Sequence, residues 1–162
     1  MGSEMCIRDR DITGKNIRLG ISLSDLYKKL ATYPVKGAYV FLDACFSGGY
    51  KSAAPLLAQK GVRVVPKVGL PQGNTLSFSS SSGDQTSSVY HEKKQGYYTY
   101  FLIKTIRDAK GNISMKELFD RTSAAVKRAT ALIDKIQEPQ CMASPTWIGW
   151  EDIKLETPVV TP

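Results

Sequence analysis

The sequence predicts an α/β domain with a mostly parallel central sheet, on three observations. Helical and extended segments alternate as helix, strand, helix, strand, helix, helix, an order that stacks helices on a sheet. The stretch "AYVFLDA" is a continuous apolar run, as in strands buried on both faces of a parallel sheet. The 162 residues, 42% hydrophobic and 23% charged, are enough to bury one ordinary core.

Taken in order, "MGSEMCIRDR" has no apolar periodicity and carries a second Met at position 5, so residues 1–10 read as a non-native leader. A domain is expected over 11–150, with a tail at 151–162. Ser22 stands as an N-cap before "LSDLYKKLATY", where Leu23, Leu26, Tyr27 and Leu30 share a helical face. Pro34 and Gly37 punctuate, and the apolar strand follows at about 38–43. "SAAPLLAQKG" predicts a short helix closed by Gly61, and "VRVVPKV" a strand or extended loop. "LPQGN" is a turn and "TLSFSSS" a further strand. The chain from "SGDQTSS" to "HEKKQG" reads as polar loop. "YYTYFLIKTIRDA" predicts a helix with Tyr98, Phe101, Leu102 and Ile106 inward, ended by "KGN". Ser114 and Glu117 form a capping box that opens a long amphipathic helix through Ile133. "EPQCMASPTWIGW" reads as irregular, and "EDIKLETPVVTP" has room for one strand.

The formal charge of +7 belongs to the body, since Arg8 and Arg10 are balanced by Glu4 and Asp9. Its lysines and arginines are scattered without an aromatic-basic motif, which reads as solvated surface and not as a nucleic-acid interface. The longest apolar runs are too short to span a bilayer, and no signal peptide is visible, so no membrane partner is expected. Three cysteines, Cys6, Cys45 and Cys141, include no C-x-x-C pair. That speaks against a zinc site or a disulfide framework, and free thiols suit a reducing compartment such as the cytoplasm.

Cys45 is where the sequence becomes specific. A free cysteine is ordinarily a small buried hydrophobe. Cys45 instead follows a strand end, where the chemistry of open parallel sheets collects. Ser47, Gly48 and Gly49 after it let backbone amides approach a ligand, and Asp43 projects to the same side if the extended conformation continues. Two phosphate-binding readings fail. A cysteine phosphatase loop needs an arginine fork where Lys51 stands. A P-loop would not place Tyr50 between Gly49 and Lys51.

"VFLDACFSGG" resembles the nucleophile motif of caspase-like cysteine peptidases, in the metacaspase and bacterial caspase-like branch. "SFSSSSGDQTSS" is similar to that branch's next strand and specificity loop, and "EKKQGYYTYFLIKTIRD" to its following helix, so the resemblance spans about residues 20–145. It implies a caspase-like three-layer sandwich and a peptide or protein substrate. Cys45 would be the nucleophile, with its backbone N–H in the oxyanion hole. Asp43 would line the S1 pocket and select lysine or arginine, with Asp84 a candidate second acid. Asp43 and Asp84 are then expected to border one cleft. By its residue type alone Asp84 is equally a turn residue after Gly83. Val89 departs from the branch pattern, where a further acid is often found.

A peptidase of this class needs a histidine as general base and acid. The sequence has one, His91, which follows the cysteine and reads as an exposed loop residue. In caspases the histidine precedes the cysteine by about 50 residues. The resemblance therefore implies a C-terminal portion of such a domain, its N-terminal strands and catalytic histidine lying outside these residues. Two other readings stand beside it: a catalytically silent caspase-like interaction module, and an unrelated α/β cysteine hydrolase using His91. No cofactor and no metal are called for, and no calcium-loop pattern is readable. Lys51, Lys60, Arg63 and Lys67 mark a segment where self-processing is conceivable, although basic residues in a surface loop are ordinarily just solvated.

Overall fold

A computed structural model describes residues 6–7, 21–44, 69–82, 85 and 87–155. The expected helix at "SAAPLLAQKG" and extended segment at "VRVVPKV" lie outside the described residues.

The main sheet has three strands among the described residues. β3 (Ala38–Leu42) runs parallel to β4 (Thr75–Ser79), and β4 pairs antiparallel on its other side with β7 (Gln140–Ala143). The sheet is thus mixed, with one parallel and one antiparallel pairing where a mostly parallel one was expected. β7 falls in a segment expected to be irregular. Four residues after Pro139 are too few to show a period, and the buried flank of β4 is what orders them. β4 takes the central place and is buried along its whole length.

Alternation along these strands builds two faces. On one, Leu76 and Phe78 sit in a cluster with Tyr98, Ile113, Met115, Leu118 and Val126. That face is covered by α2 (Tyr97–Asp108) and α3 (Met115–Ala131). The Phe78 ring lies between those of Phe41 and Phe119, with centroids 5.1 and 5.8 Å away. On the other face α1 (Leu23–Ala31) buries Leu23 and Tyr27 against Val40 and Leu42. The Tyr27 hydroxyl there donates to the Ser77 hydroxyl at 2.8 Å, which satisfies two buried polar groups at once. Helix, sheet and helix pair make three layers.

β3 departs from the expected two-sided burial. Tyr39 and Phe41 are 37% and 38% exposed, because β3 pairs only with β4 among the described residues and stands at an edge. The polar stretch before α2 also folds further than expected. β5 (Val89–Tyr90) and β6 (Gln95–Gly96) form a small antiparallel pair around a 3-10 turn at His91–Lys93, which Lys94 closes at φ 53°. β1 (Cys6–Ile7), inside the segment read as a leader, pairs with β2 (Ile21–Ser22) at the entry to α1. α3 ends at Ala131, two residues before the expected Ile133, and the chain turns with Asp134 at φ 53°. In the tail, Lys154 makes an isolated antiparallel bridge to Ser114, and residues 156–162 lie outside the described residues. No helix among the described residues is long and apolar enough to cross a membrane.

Candidate active site

The carboxyl end of the β3–β4 pair is polar and closely tied. The Ser80 N–H donates to the Leu42 carbonyl at 2.9 Å, and its hydroxyl to the Ala44 carbonyl at 3.2 Å. Ser80 and Ser81 are buried just past β4. Gln137, itself buried, closes the loop that follows. Its amide oxygen accepts from the Ser88 N–H and its amide nitrogen donates to the Ser80 carbonyl, both at 2.9 Å. Gln85 accepts from the Glu138 N–H at 2.7 Å beside it.

Asp43 is the first residue past β3, two before Cys45. Its carboxylate reaches across to the start of α2. The Ser87 hydroxyl donates to Oδ1 at 2.6 Å. Oδ2 accepts from the Thr99 hydroxyl at 2.6 Å and from the Thr99 backbone N–H at 3.2 Å. α2 needs such an acceptor. Its N-cap is Gly96, which has no side chain to bond the free N–H groups of the first turn. Gly96 is also required by space, since a Cβ there would collide with the Asp43 carboxylate. A carboxylate at a helix N-terminus gains further from the helix dipole.

All three donors to Asp43 are neutral. Among the described residues no lysine or arginine pairs with it, and the three donors orient the carboxylate without adding a counter-charge. Next to it, Tyr98 is held well above the ordinary phenol range, first by burial and then by the charges of Asp43 and Cys141. A carboxylate fixed in this way at a strand end is equipped to attract a cation.

Of the residues singled out in the sequence, Asp43 is placed as described. Cys45 and Asp84 lie outside the described residues. His91 is exposed in the 3-10 turn of the β5–β6 hairpin. Cys141 faces the core from β7, its thiol pushed up to about 12 by burial and then by Asp120 and Glu151, which makes it a poor nucleophile. Sequence reasoning missed Ser87, Thr99, Gly96 and Gln137. One signal was present: "QGYYT" opens a helix without a local capping side chain, so the cap must come from elsewhere.

A family model for the caspase domain, peptidase class C14, matches residues 3–146. The chain belongs to the caspase-domain family. These are cysteine peptidases, whose substrates are peptides and proteins. No curated protein matches the chain. Among the described residues no cluster of three or more His, Cys, Asp or Glu could hold a metal ion.

Proposed function

We propose that this protein is a caspase-like cysteine endopeptidase of the metacaspase and bacterial caspase-like branch, cleaving after arginine or lysine. The observation that carries the reading is Asp43: a carboxylate held, among the described residues, by neutral donors alone at the carboxyl end of a parallel strand, in a caspase-domain chain. Asp43, with Asp84 as its partner acid, takes the cationic side chain on the acyl side of the scissile bond. Cys45 attacks the carbonyl carbon as thiolate. A carbon–sulfur bond forms, the carbonyl π electrons move to oxygen and are stabilised by backbone N–H groups. Collapse breaks the carbon–nitrogen bond, the amine leaves with a proton from a general acid, and water then hydrolyses the thioester.

The general base is the part this sequence does not supply in the expected place. His91 is exposed in a hairpin turn, and on this reading the base is a histidine outside these 162 residues. The lone downstream histidine also favours a second reading, a catalytically silent caspase-like module that binds partners. Hydrolysis of arginine- and lysine-containing peptides by the purified chain, Cys45→Ala and His91→Ala tests the assignment. No turnover attributable to Cys45 is expected. Robust turnover lost in both variants would make His91 the base and overturn it. The same assay on a longer form carrying an upstream histidine separates the readings, because the silent module stays inactive there.

A further inference from the structure

The two oxygens of Asp43 are not equivalent. Oδ2 is engaged by both donors of Thr99 and lies against Gly96 at the first turn of α2. Among the described residues Oδ1 carries a single donor, the Ser87 hydroxyl. A carboxylate has roughly four acceptor directions over its two oxygens, so with two donors on Oδ2 the remaining one lies on the Oδ1 side. A carboxylate on one rotatable bond would otherwise turn freely and present either oxygen.

We infer that Thr99 and Gly96 are positioning residues for Asp43, fixing Oδ2 against α2 so that Oδ1 alone meets a substrate cation. The inference rests on the proposed reading of Asp43 as the acid that receives the substrate side chain. It adds which residues aim that acid, and what the acid then recognises. Recognition through one oxygen cannot use the two-oxygen fork that favours guanidinium, so the site selects positive charge and accepts an ammonium as readily. Lysine and arginine are both substrates on this account.

Because binding needs no general base, the present chain is sufficient for the test. The probes are N-acetyl-arginine methylamide, N-acetyl-lysine methylamide and the neutral norleucine analogue, titrated into isotope-labelled protein while the Thr99 backbone amide signal is followed. Both cationic probes should move that signal saturably, with dissociation constants within about tenfold of each other, and the norleucine probe should not. Thr99→Val should weaken cationic binding by about tenfold, the size of one hydrogen bond to a charged group, and Thr99→Ser should restore it. Gly96→Ala should weaken it as well. Circular dichroism on each variant reports whether the fold is kept; if Thr99→Val unfolds, Gly96→Ala decides. Wild-type affinity in the folded positioning variant, with binding abolished in Asp43→Asn, would overturn the positioning role and leave the proposed function standing. A preference for arginine beyond tenfold would overturn the one-oxygen contact. Absence of cationic binding in the wild type, or binding indifferent to Asp43→Asn, would overturn the reading of Asp43 itself.

Discussion

The helices α2 and α3 lie side by side on the same face of the sheet, yet their N-termini are finished in opposite ways. α3 is capped from within: the Ser114 hydroxyl accepts from the Glu117 N–H at 3.2 Å, three residues on. α2 starts at a glycine and takes its acceptor from Asp43, 56 residues away in sequence from the Thr99 it bonds. A local cap stabilises one helix and is indifferent to what happens elsewhere. An imported cap ties the start of a helix to the end of a strand, and here the sequence has Cys45, the proposed nucleophile, two residues after that capping acid. The difference separates a cap confined to one helix from one that couples two distant elements.

The largest expected consequence concerns Asp43 in an active, histidine-supplied form of the enzyme. Asp43→Ala should lower cleavage after lysine and arginine by about 2–5 kcal/mol of transition-state binding, the cost of leaving a substrate cation without its partner. Thiol alkylation at Cys45 by a small reagent should change far less. Steady-state kinetics on cationic peptides, set beside alkylation rates, reads both. Equal cleavage before and after the substitution would place Asp43 with Ser114 as a cap and nothing more.

Next is Gln137, which ties Ser88, ahead of α2, to Ser80 at the end of β4. Gln137→Leu would leave the Ser88 N–H and the Ser80 carbonyl without their partner in a buried site. At about 1–3 kcal/mol for each of the two unsatisfied groups, a loss of about 2–6 kcal/mol in urea unfolding is expected. A loss below about 1 kcal/mol would mean the loop is held by other contacts.

Ser114→Ala sharpens the contrast from the other side. Stability should fall by about 1 kcal/mol, the ordinary value of a serine cap, with binding of cationic probes unchanged. A change in cationic binding would show that α3 also reports to the site.

The last effect is confined to alkaline pH and is absent at neutral pH. Cys141 is raised from an ordinary 9.0 to about 12 by burial, so the folded state holds its proton where the unfolded chain has lost it. Stability from this thiol is complete below about pH 9 and declines as pH rises toward 12, the sign expected when the unfolded state binds fewer protons. Tyr98 acts in the same direction at still higher pH. Urea unfolding of wild type and Cys141→Ala across pH 8–11 should show the steeper alkaline decline in the wild type.

These contrasts also mark what could be read in the sequence. Caps formed by neighbours are visible in a string of letters, and Ser22 and Ser114 both cap as their spacing indicates. The strand at Ala38–Leu42, with Asp43 at its mouth, is equally plain from its apolar run. What was not legible depends on distant partners. β7 is ordered by pairing with β4, and Gln137 draws its meaning from groups 49 and 57 residues away. Thr99 looked like a helix residue among aromatics until the fold brought Asp43 to it. The exposure of Tyr39 and Phe41 is likewise set by which strands lie alongside β3, and not by their own character.

The central claim is that Asp43 directs a cationic side chain to a reactive Cys45, and affinity labelling measures this most directly. The chain would be treated with peptidyl chloromethyl ketones that differ only at the terminal residue, lysine, arginine or norleucine, and the adduct located by mass spectrometry. The account predicts an adduct on Cys45 and not on the core-facing Cys141. It predicts formation about tenfold faster with the cationic probes than with norleucine, an advantage that disappears in Asp43→Asn. Equal rates for charged and neutral probes, or labelling that ignores Asp43, would contradict it.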